Sequence, residues 1–239
     1  KDLSGTILSG ADLTNTILTE ADLSGANLSY VDLSEHDLTT TNLSDSILFR
    51  TNLSGMDLRP ITLTNADFRY AILSESILPD SILVNNNFDY AILKNINFAG
   101  KDLPKSSFQQ VELEGSDMQN TNLREAAFIQ VNFTKIKNKS LTGADLSGTS
   151  LAHSNLSGVN LSGTILDQTN FWNNGITHSI DHFCTRTNNT GLFAVTTNHK
   201  SSRIIYKNER ITFLITVHDE PRRFVGCFCV NNCGHIHCS

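Results

Sequence analysis

A five-residue pattern is spelled out twice near the start of the chain, as Ala11-Asp12-Leu13-Thr14-Asn15 and as Ala21-Asp22-Leu23-Ser24-Gly25. In both copies a small residue comes first, an acid second and Leu third. A helix repeats near 3.6 residues and a strand near 2, so a period of five fits neither of them. A chain that keeps this period must turn a corner every five residues.

The third position of the pattern keeps its character along most of the chain. In steps of five from Leu3 to Phe133, every residue is Leu, Phe or Met. The run then slips by three positions near 134–140, and it resumes in steps of five from Leu141 to Phe171. The period predicts a repeat domain at residues 1–171 and a different region at residues 172–239.

The pattern also predicts how the repeats close on each other. If each repeat is one side of a square, the large residue and the small residue two before it point inward, and the Asp or Asn between them points outward. Four sides make one coil, so residues 20 apart stack, as do the inward residues Phe68, Phe88, Phe108 and Phe128. We therefore predict an all-β fold, a quadrilateral parallel β-helix about 40 Å long.

These registered repeats resemble the pentapeptide-repeat family, whose repeat reads Ala-(Asp/Asn)-Leu-x-x, seen here as Ala21-Asp22-Leu23. The resemblance covers residues 3–171 and implies a right-handed coil. Members of the family include gyrase-protecting proteins that resemble DNA in shape and charge, and repeat modules of bacterial effectors, some of them joined to a ubiquitin-ligase region. One fold carries many functions, so the resemblance alone does not choose among these roles.

Four residues are large and polar at inward positions where the repeat normally has a small residue. Lys101 and Lys139 would each bury an ammonium group, which is costly, so we expect the coil to bulge at both positions. His36 and Asn86 are expected to bond to neighbouring backbone groups inside the coil. None of these irregularities is long enough for a large protruding loop, which counts against the loop-bearing gyrase protectors.

Charge suggests one function for the rod. Residues 1–171 carry 20 Asp and Glu against 11 Lys and Arg, a net charge of −9. Outward carboxylates at intervals of 20 are expected to stack and to form an acidic face with Asp12, Asp22 and Asp32. Such a face would imitate a phosphate backbone, which predicts an inhibitor or protector of a topoisomerase such as gyrase. Alternatively, Asp and Asn serve solubility and local turn bonding.

An apolar and aromatic cluster suggests a second function. Outward Ile72, Ile77, Ile82 and Ile92 interrupt the polar columns, and two tyrosines and an arginine share one stacked edge beside them. This composition is typical of a binding hot spot, although outward Ile elsewhere in the rod makes ordinary repeat variation the alternative. The hypothesis is a non-enzymatic protein–protein interaction scaffold, with the partner-binding residues Tyr70, Tyr90, Ile72, Ile92 and Arg50.

The region after Phe171 predicts a small α+β cap over the open end of the coil, or the start of another domain. A helix is expected at 176–183, and strands at 192–197, 203–206, 211–217 and 224–230. Six potential metal ligands crowd its end: Cys227, Cys229, Cys233, His235, His237 and Cys238. They suffice for a structural zinc ion, but their spacing matches no common zinc finger, so buried or loose thiols are the alternative.

Catalysis is the third hypothesis. No phosphate loop, Ser-His-Asp pattern or separated carboxylate pair emerges from the sequence, and we expect no cofactor beyond that zinc. Cys184, with His178 and His182 nearby, would suit a fragment of an effector ubiquitin ligase, but no motif carries that activity over.

Composition indicates in which compartment the protein is expected to act. No apolar run approaches the length of a membrane span, and the five cysteines, an odd number, indicate a reducing compartment or a metal. We expect a bacterial scaffold, monomeric or dimeric, that binds a protein and not nucleic acid directly. It would act in the cytoplasm, or in a host cell if it is a secreted effector. The chain begins at Lys1 in phase with the repeat, which is typical of a piece of a longer protein.

Overall fold

A computed structural model describes residues 1–80 and 82–170 and five strands beyond them. The strands are β1 (Leu192–Thr197), β2 (Lys200–Lys207), β3 (Arg210–Ile215), β4 (Cys227–Phe228) and β5 (His237–Cys238). β1, β2 and β3 form an antiparallel sheet in that order, and β4 pairs with β5. β1 has the bounds that the sequence predicts, and β2, β3 and β4 overlap the other three predicted strands. The predicted helix at 176–183 lies outside the described residues.

The described residues up to 170 form the coils of a right-handed, four-sided β-helix, as predicted. Parallel bridges join residues 20 apart, for example Asp2 to Asp22 and Asp22 to Asn42. The Leu3 N–H donates to the Asp22 carbonyl at 2.7 Å, and the Asp22 N–H donates to the Lys1 carbonyl at 2.7 Å. Each coil is therefore hydrogen-bonded to the next as neighbouring strands are in a sheet.

Two local features turn the corner in many of the repeats. The outward Asp or Asn accepts a hydrogen bond from the N–H two residues later, as from Ser24 to Asp22 at 3.0 Å. The fifth residue of the repeat adopts a left-handed backbone, as Gly25 does at φ 66°. Asp and Asn favour such side-chain turns and Gly accepts the left-handed conformation, so the composition of the repeat builds the corner.

The core is built of layers, one per coil, in which large side chains from the four sides meet and small ones fill the space between them. The four predicted phenylalanines stack with ring centroids 4.9, 5.1 and 4.4 Å apart, from Phe68 through Phe88 and Phe108 to Phe128. All four rings are 0–1% exposed. Buried Thr and Ser in the small inward positions donate to core carbonyls, as Thr51 does to Leu28 at 2.8 Å. Such hydroxyls are satisfied without widening the coil, whereas the buried Ser76 hydroxyl has no hydrogen-bond partner among the described residues.

The two inward lysines behave differently from each other. The prediction of a bulge at Lys101 was wrong: its N–H donates to the Phe98 carbonyl at 2.9 Å and its carbonyl accepts from Asn122 at 2.9 Å, as in a regular coil. Its ammonium group instead reaches the Leu78 carbonyl at 3.2 Å and the Asp80 carboxylate. The long side chain carries its charge out of the core, so no bulge is needed.

The expected bulge near Lys139 is confirmed. Two short 3₁₀ turns, Phe133–Lys135 and Lys137–Lys139, take up the extra residues, and Asn138 inside the second is left-handed at φ 55°. Ile136 is buried at this point, while Lys139 lies exposed. Bridge partners lie further apart in sequence across the slip, as Asn122 and Asp145 do, and the regular interval returns between Ser140 and Asn160.

The two other inward polar residues bond to the backbone as predicted. The His36 ring Nε2 lies 2.9 Å from the Leu13 carbonyl, and the Asn86 Oδ1 accepts the Ala66 N–H at 2.8 Å. Each side chain also keeps one buried atom without a hydrogen-bond partner among the described residues, Nδ1 of His36 and Nδ2 of Asn86.

Candidate functional site

One corner of the rod carries large side chains where the backbone favours small ones. Its residues are 20 apart and left-handed, with φ of 64°, 56°, 61° and 63° at Tyr30, Arg50, Tyr70 and Tyr90. This conformation crowds the Cβ atom of an L residue, and it is unusual for bulky side chains. Four neighbouring coils thus place demanding side chains at a position that Gly or Asn occupies at lower cost.

The aromatic rings of this corner contact each other along the rod. Phe49 lies edge-on to both Tyr30 and Tyr70, with ring centroids 5.5 and 5.3 Å apart. Tyr70 and Tyr90 stack at 4.7 Å with an interplanar angle of 5°. Contacts of this kind hold aromatic side chains in place beyond the effect of burial alone. Tyr30 and Tyr70 nevertheless remain 58% and 40% exposed.

Arg50 is held among these rings. The Cζ atom of its guanidinium lies 5.9, 5.6 and 5.4 Å from the ring centroids of Tyr30, Phe49 and Tyr70. All three distances are within the range of cation–π attraction. Arg69 also approaches Phe49, at 6.0 Å, but its guanidinium pairs with its neighbour Asp67.

Ile72 and Ile92 lie on the flat side next to this corner. They are bridge partners in adjacent coils, in a column that runs from Asp32 through Asn52 to both isoleucines and then to Glu112. Ile72 is 38% exposed. We call the whole surface the aromatic corner, defined by Tyr30, Phe49, Arg50, Tyr70, Ile72, Tyr90 and Ile92.

The structure thus brings together the five residues that the sequence singled out as partner-binding. Two members of the aromatic corner were missed. Tyr30 lies one full coil before Arg50, so its place was readable from the period. Phe49 was less visible, because it is the fourth residue of its repeat, between the flat side and the corner position.

Ile77 and Ile82 do not belong to this surface. Ile77 pairs with Asp57 in another column, and Ile82, midway in sequence between Ile72 and Ile92, lies two sides of the coil away from them. They are 48% and 56% exposed. The outward isoleucines therefore form no single apolar belt.

The expected acidic face is also divided. Asp22 belongs to the column that links Asp2 to Asn42, whereas Asp32 belongs to the column of Asn52 and Ile72. Half a coil separates Asp12, Asp22 and Asp32 in turn, so the middle one lies on the opposite side of the rod from the other two. The prediction of one face with all three residues was wrong, because stacking follows intervals of 20 and not of 10.

The acidic residues are tied into the local turns. The Thr14 side chain, and then the Thr14 N–H, lower the pKa of Asp12, and Ser24 and Ser34 do the same for the pKa of Asp22 and Asp32. The Arg59 guanidinium, followed by the Arg59 N–H, lowers the pKa of Asp57 to about 2. Hydrogen bonds to the charged form favour that form, so these carboxylates remain ionised at neutral pH.

The Cys/His tail falls only partly within the described residues. Cys227 is directly opposite Cys238 in the pairing of β4 with β5, and Phe228 is opposite His237. Cys229, Cys233 and His235 lie outside the described part of the chain. Among the residues whose side chains are described, no group of three His, Cys, Asp or Glu is placed to hold a metal ion. The zinc site therefore stays a prediction.

The repeats match a known family profile described as pentapeptide repeats. Eight copies are matched, at residues 6–45, 26–59, 46–83, 61–100, 106–137 and 140–173. The chain belongs to the pentapeptide-repeat family. The matched segments cover the rod on both sides of the slip.

Two solved structures are among those similar to this chain. HetL, involved in heterocyst differentiation regulation in the cyanobacterium Nostoc, is 22% identical, with a TM-score of 0.35 over 72% of this chain and 86% of its own. The trypsin-treated form of QnrB1, a plasmid-mediated fluoroquinolone-resistance protein, is 18% identical, with a TM-score of 0.41 over 70% and 73% of the two chains. No curated protein matches the chain. Within the described residues, no helix is long and apolar enough to cross a membrane.

Proposed function

We propose that this pentapeptide-repeat protein is a non-enzymatic protein-binding scaffold, and that the aromatic corner is its binding surface. The observation that carries the proposal is the cluster itself: three tyrosines, a phenylalanine and an arginine in mutual contact on one exposed edge. Tyr and Arg are enriched among residues that dominate binding energy at protein interfaces. Rigid aromatic side chains also lose little entropy when a partner binds.

The cost of the corner to the fold supports this proposal. A left-handed backbone costs an L residue other than Gly or Asn about 1–2 kcal/mol. The repeat needs nothing larger than Gly at this position, as Gly10 shows in the coil before Tyr30. Residues such as Glu75 and Lys105 adopt this conformation at other corners, so the distinguishing feature here is a run of bulky aromatic side chains that contact each other. Strained positions that carry such side chains are typical of a functional surface.

The ring geometry favours a protein partner over single-stranded nucleic acid. A base binds an aromatic side chain by stacking on an open ring face. Tyr70 and Tyr90 turn their ring faces towards each other, at 4.7 Å and 5°. The net charge of −9 on residues 1–171 also repels a polyanion. A peptide or protein surface can instead use the ring edges and the neighbouring isoleucines.

The test compares a corner variant with a matched control in a pull-down from the native host, read by quantitative mass spectrometry. The corner variant combines Tyr70→Asn with Ile92→Asp, both residues that the repeat accommodates at those positions. The control combines Ile77→Asp with Ile82→Asp, two exposed isoleucines on other sides of the rod. Circular dichroism establishes that both variants keep the fold.

We expect proteins captured by the wild type to be retained by the control and lost by the corner variant, by at least tenfold. A capture profile that is the same for the wild type and the folded corner variant would overturn the proposal. In a bacterium that secretes effectors, the same comparison made with a host-cell lysate tests whether the scaffold works inside the host.

A second candidate function, mimicry of DNA towards a topoisomerase, is favoured by stacked carboxylates in the first coils. Asp2 and Asp22 are bridge partners, and residues 1–49 contain eight acids and one base. The expected activity is inhibition of gyrase supercoiling, weakened when Asp12, Asp22 and Asp32 are all changed to Asn. Asn keeps the turn hydrogen bond, so this variant changes charge without changing the coil. A folded wild-type protein that is inert in this assay would exclude the mimic.

A further inference from the structure

Arg50 differs from the other arginines of residues 1–80 and 82–170, the part of the chain whose side chains the structure describes. Arg59, Arg69 and Arg124 pair with Asp57, Asp67 and Asp145, with N–O distances of 2.5, 2.6 and 3.4 Å. Among the residues that the structure describes, no carboxylate lies within ion-pair distance of Arg50. From this we infer that the partner at the aromatic corner presents an acidic peptide segment whose carboxylate pairs with Arg50. The inference rests on the proposed function of the same surface.

The setting of Arg50 prepares it for such a contact. The centroids of three rings lie 5.4 to 5.9 Å from the guanidinium and restrict it before any partner arrives. Its donors lie in the guanidinium plane and match a carboxylate with two parallel hydrogen bonds. A side chain that is already restricted loses less entropy on binding. Lys at this position would supply the charge but not the planar fork.

The charge of the rod limits how acidic the segment is. Residues 1–171 have a net charge of −9, so a polyacidic or multiply phosphorylated segment is repelled on approach. The neighbouring Arg69 is already neutralised by Asp67. One unpaired guanidinium accommodates one carboxylate, or two on adjacent residues. The segment therefore carries few acids, and the rest of its contact surface is apolar.

The isoleucines next to the corner place the apolar part of the segment. Ile72 lies in the coil after Arg50, and Ile92 in the coil after that. Successive coils are about 4.8 Å apart, and an extended peptide advances roughly 6.6 Å every two residues. An Asp or Glu with an aliphatic or aromatic residue two or three positions away spans this surface.

A selection of random peptides tests the inference without knowledge of the partner. A library of phage-displayed dodecapeptides is selected in parallel on four forms of the folded full chain. These are the wild type, Arg50→Gln, the combined Tyr70→Asn and Ile92→Asp variant, and Arg124→Gln as a control for loss of an exposed arginine. Sequencing then gives the residue frequencies of each enriched pool.

We expect the wild type and Arg124→Gln to enrich peptides with an Asp or Glu two or three positions from an apolar residue. That enrichment should disappear with Arg50→Gln. For the best peptide, fluorescence anisotropy should show affinity reduced about tenfold by Arg50→Gln and by replacement of the peptide acid with its amide. The two changes together should weaken binding little further, because they remove the same ion pair.

Two different negative results separate this inference from the function on which it rests. Peptides that depend on Tyr70 and Ile92 but have no acidic preference, or that survive Arg50→Gln, would overturn the inference and leave the binding surface in place. If no enriched peptide depends on the aromatic corner, the peptide-binding surface and the inference fail together. Enrichment of basic peptides on Arg50→Gln and the wild type alike would also overturn it.

Discussion

Two neighbouring corners of the rod have the same left-handed backbone but side chains of opposite character. In the aromatic corner the left-handed positions hold Tyr30, Arg50, Tyr70 and Tyr90. In the adjacent corner, which we call the polar corner, the equivalent positions hold Gly5, Gly25, Asp45, Asn65 and Asn85, at φ between 56° and 66°. The backbone is therefore the same in both corners, and only the side chains differ.

The side chains of the polar corner satisfy each other. The Asn65 amide donates to the Asp45 carboxylate at 3.1 Å, and the Asn85 amide approaches the Asn65 Oδ1 at 3.4 Å. Asn, Asp and Gly also tolerate the left-handed backbone better than other residues. The polar corner is thus what the coil needs, and the aromatic corner carries more than the coil needs. Under the proposed function, this difference reflects binding and not folding.

The largest expected effect comes from a substitution in the core that supports both corners. Phe108 stacks between Phe88 and Phe128 at 5.1 and 4.4 Å and is fully buried. Phe108→Ala should lower the free energy of unfolding by about 3–5 kcal/mol, because it leaves a cavity in a narrow core that has few side chains to fill it. Urea unfolding followed by circular dichroism measures the change.

The matched control for this change is Phe49→Ala, the same substitution in the aromatic corner. Phe49 is only partly buried and contacts Tyr30 and Tyr70 edge-on, so the loss should be about 1 kcal/mol. Equal losses for the two variants would show that the aromatic corner is part of the stabilising core, which would undermine its assignment as a binding surface.

Much of this rod was predictable because the five-residue period determines which residues stack on each other in successive coils. Once four repeats make one coil, the stack of Phe68 on Phe88 and the column of Tyr70 and Tyr90 follow from counting. The same counting also separates Asp22 from Asp12 and Asp32. The expected stack of Asp2 on Asp22 is present, and the error lay in placing two separate columns on one face, because a step of two repeats moves a side chain to the opposite side.

The behaviour of the inward lysines was not predictable from the period. Lys101 and Lys139 occupy equivalent places in the sequence pattern, yet one coil stays regular and the other acquires two 3₁₀ turns. The outcome depends on whether a carbonyl and a carboxylate lie within reach, as Leu78 and Asp80 do for Lys101. Such partners belong to the preceding coil, and their reach is a property of the three-dimensional structure.

An exchange of residues between the two corners tests the comparison directly. A Cβ atom at Gly25 would meet only backbone atoms of Gly5, at 4.0 Å, so a side chain there has room. Gly25→Tyr should nevertheless lower the free energy of unfolding by about 1–2 kcal/mol, because Tyr disfavours the left-handed backbone. Tyr70→Gly should change the free energy of unfolding by less than about 1 kcal/mol. The loss of the ring contacts offsets the relief of the left-handed backbone strain that Gly allows.

Urea unfolding of the two variants beside the wild type gives both values. A loss for Tyr70→Gly that clearly exceeds the loss for Gly25→Tyr would mean that the tyrosine column holds the coils together. In that case the large side chains of the aromatic corner would have a structural reason, and their backbone cost would no longer point to binding.

The smallest expected effect comes from acid. Hydrogen bonds from Ser and Thr lower the pKa of Asp2, Asp12, Asp22 and Asp37 in the folded chain. A carboxyl group whose pKa is lower when folded stabilises the fold above its unfolded pKa, near 3.8, and loses that contribution as the pH falls through the folded value. The urea midpoint should therefore fall modestly as the pH falls below about 4. These groups are exposed, so each contributes little.

The variant in which Asp12, Asp22 and Asp32 all become Asn keeps the turn hydrogen bonds but removes three of the titrating groups. Its urea midpoint should depend less on pH than that of the wild type: the variant should lie slightly below the wild type near neutral pH and converge on it in acid, where the wild-type carboxyl groups are also uncharged. An unchanged pH dependence would show that these turns contribute nothing measurable through their charge. The turn caps differ between the corners: Asp2 and Asp22 cap turns of the polar corner, whereas Asn27 and Asn87, which do not titrate, cap the turns at Tyr30 and Tyr90. Acid therefore acts on the polar corner through these caps, whereas the exchange of residues acts on both corners.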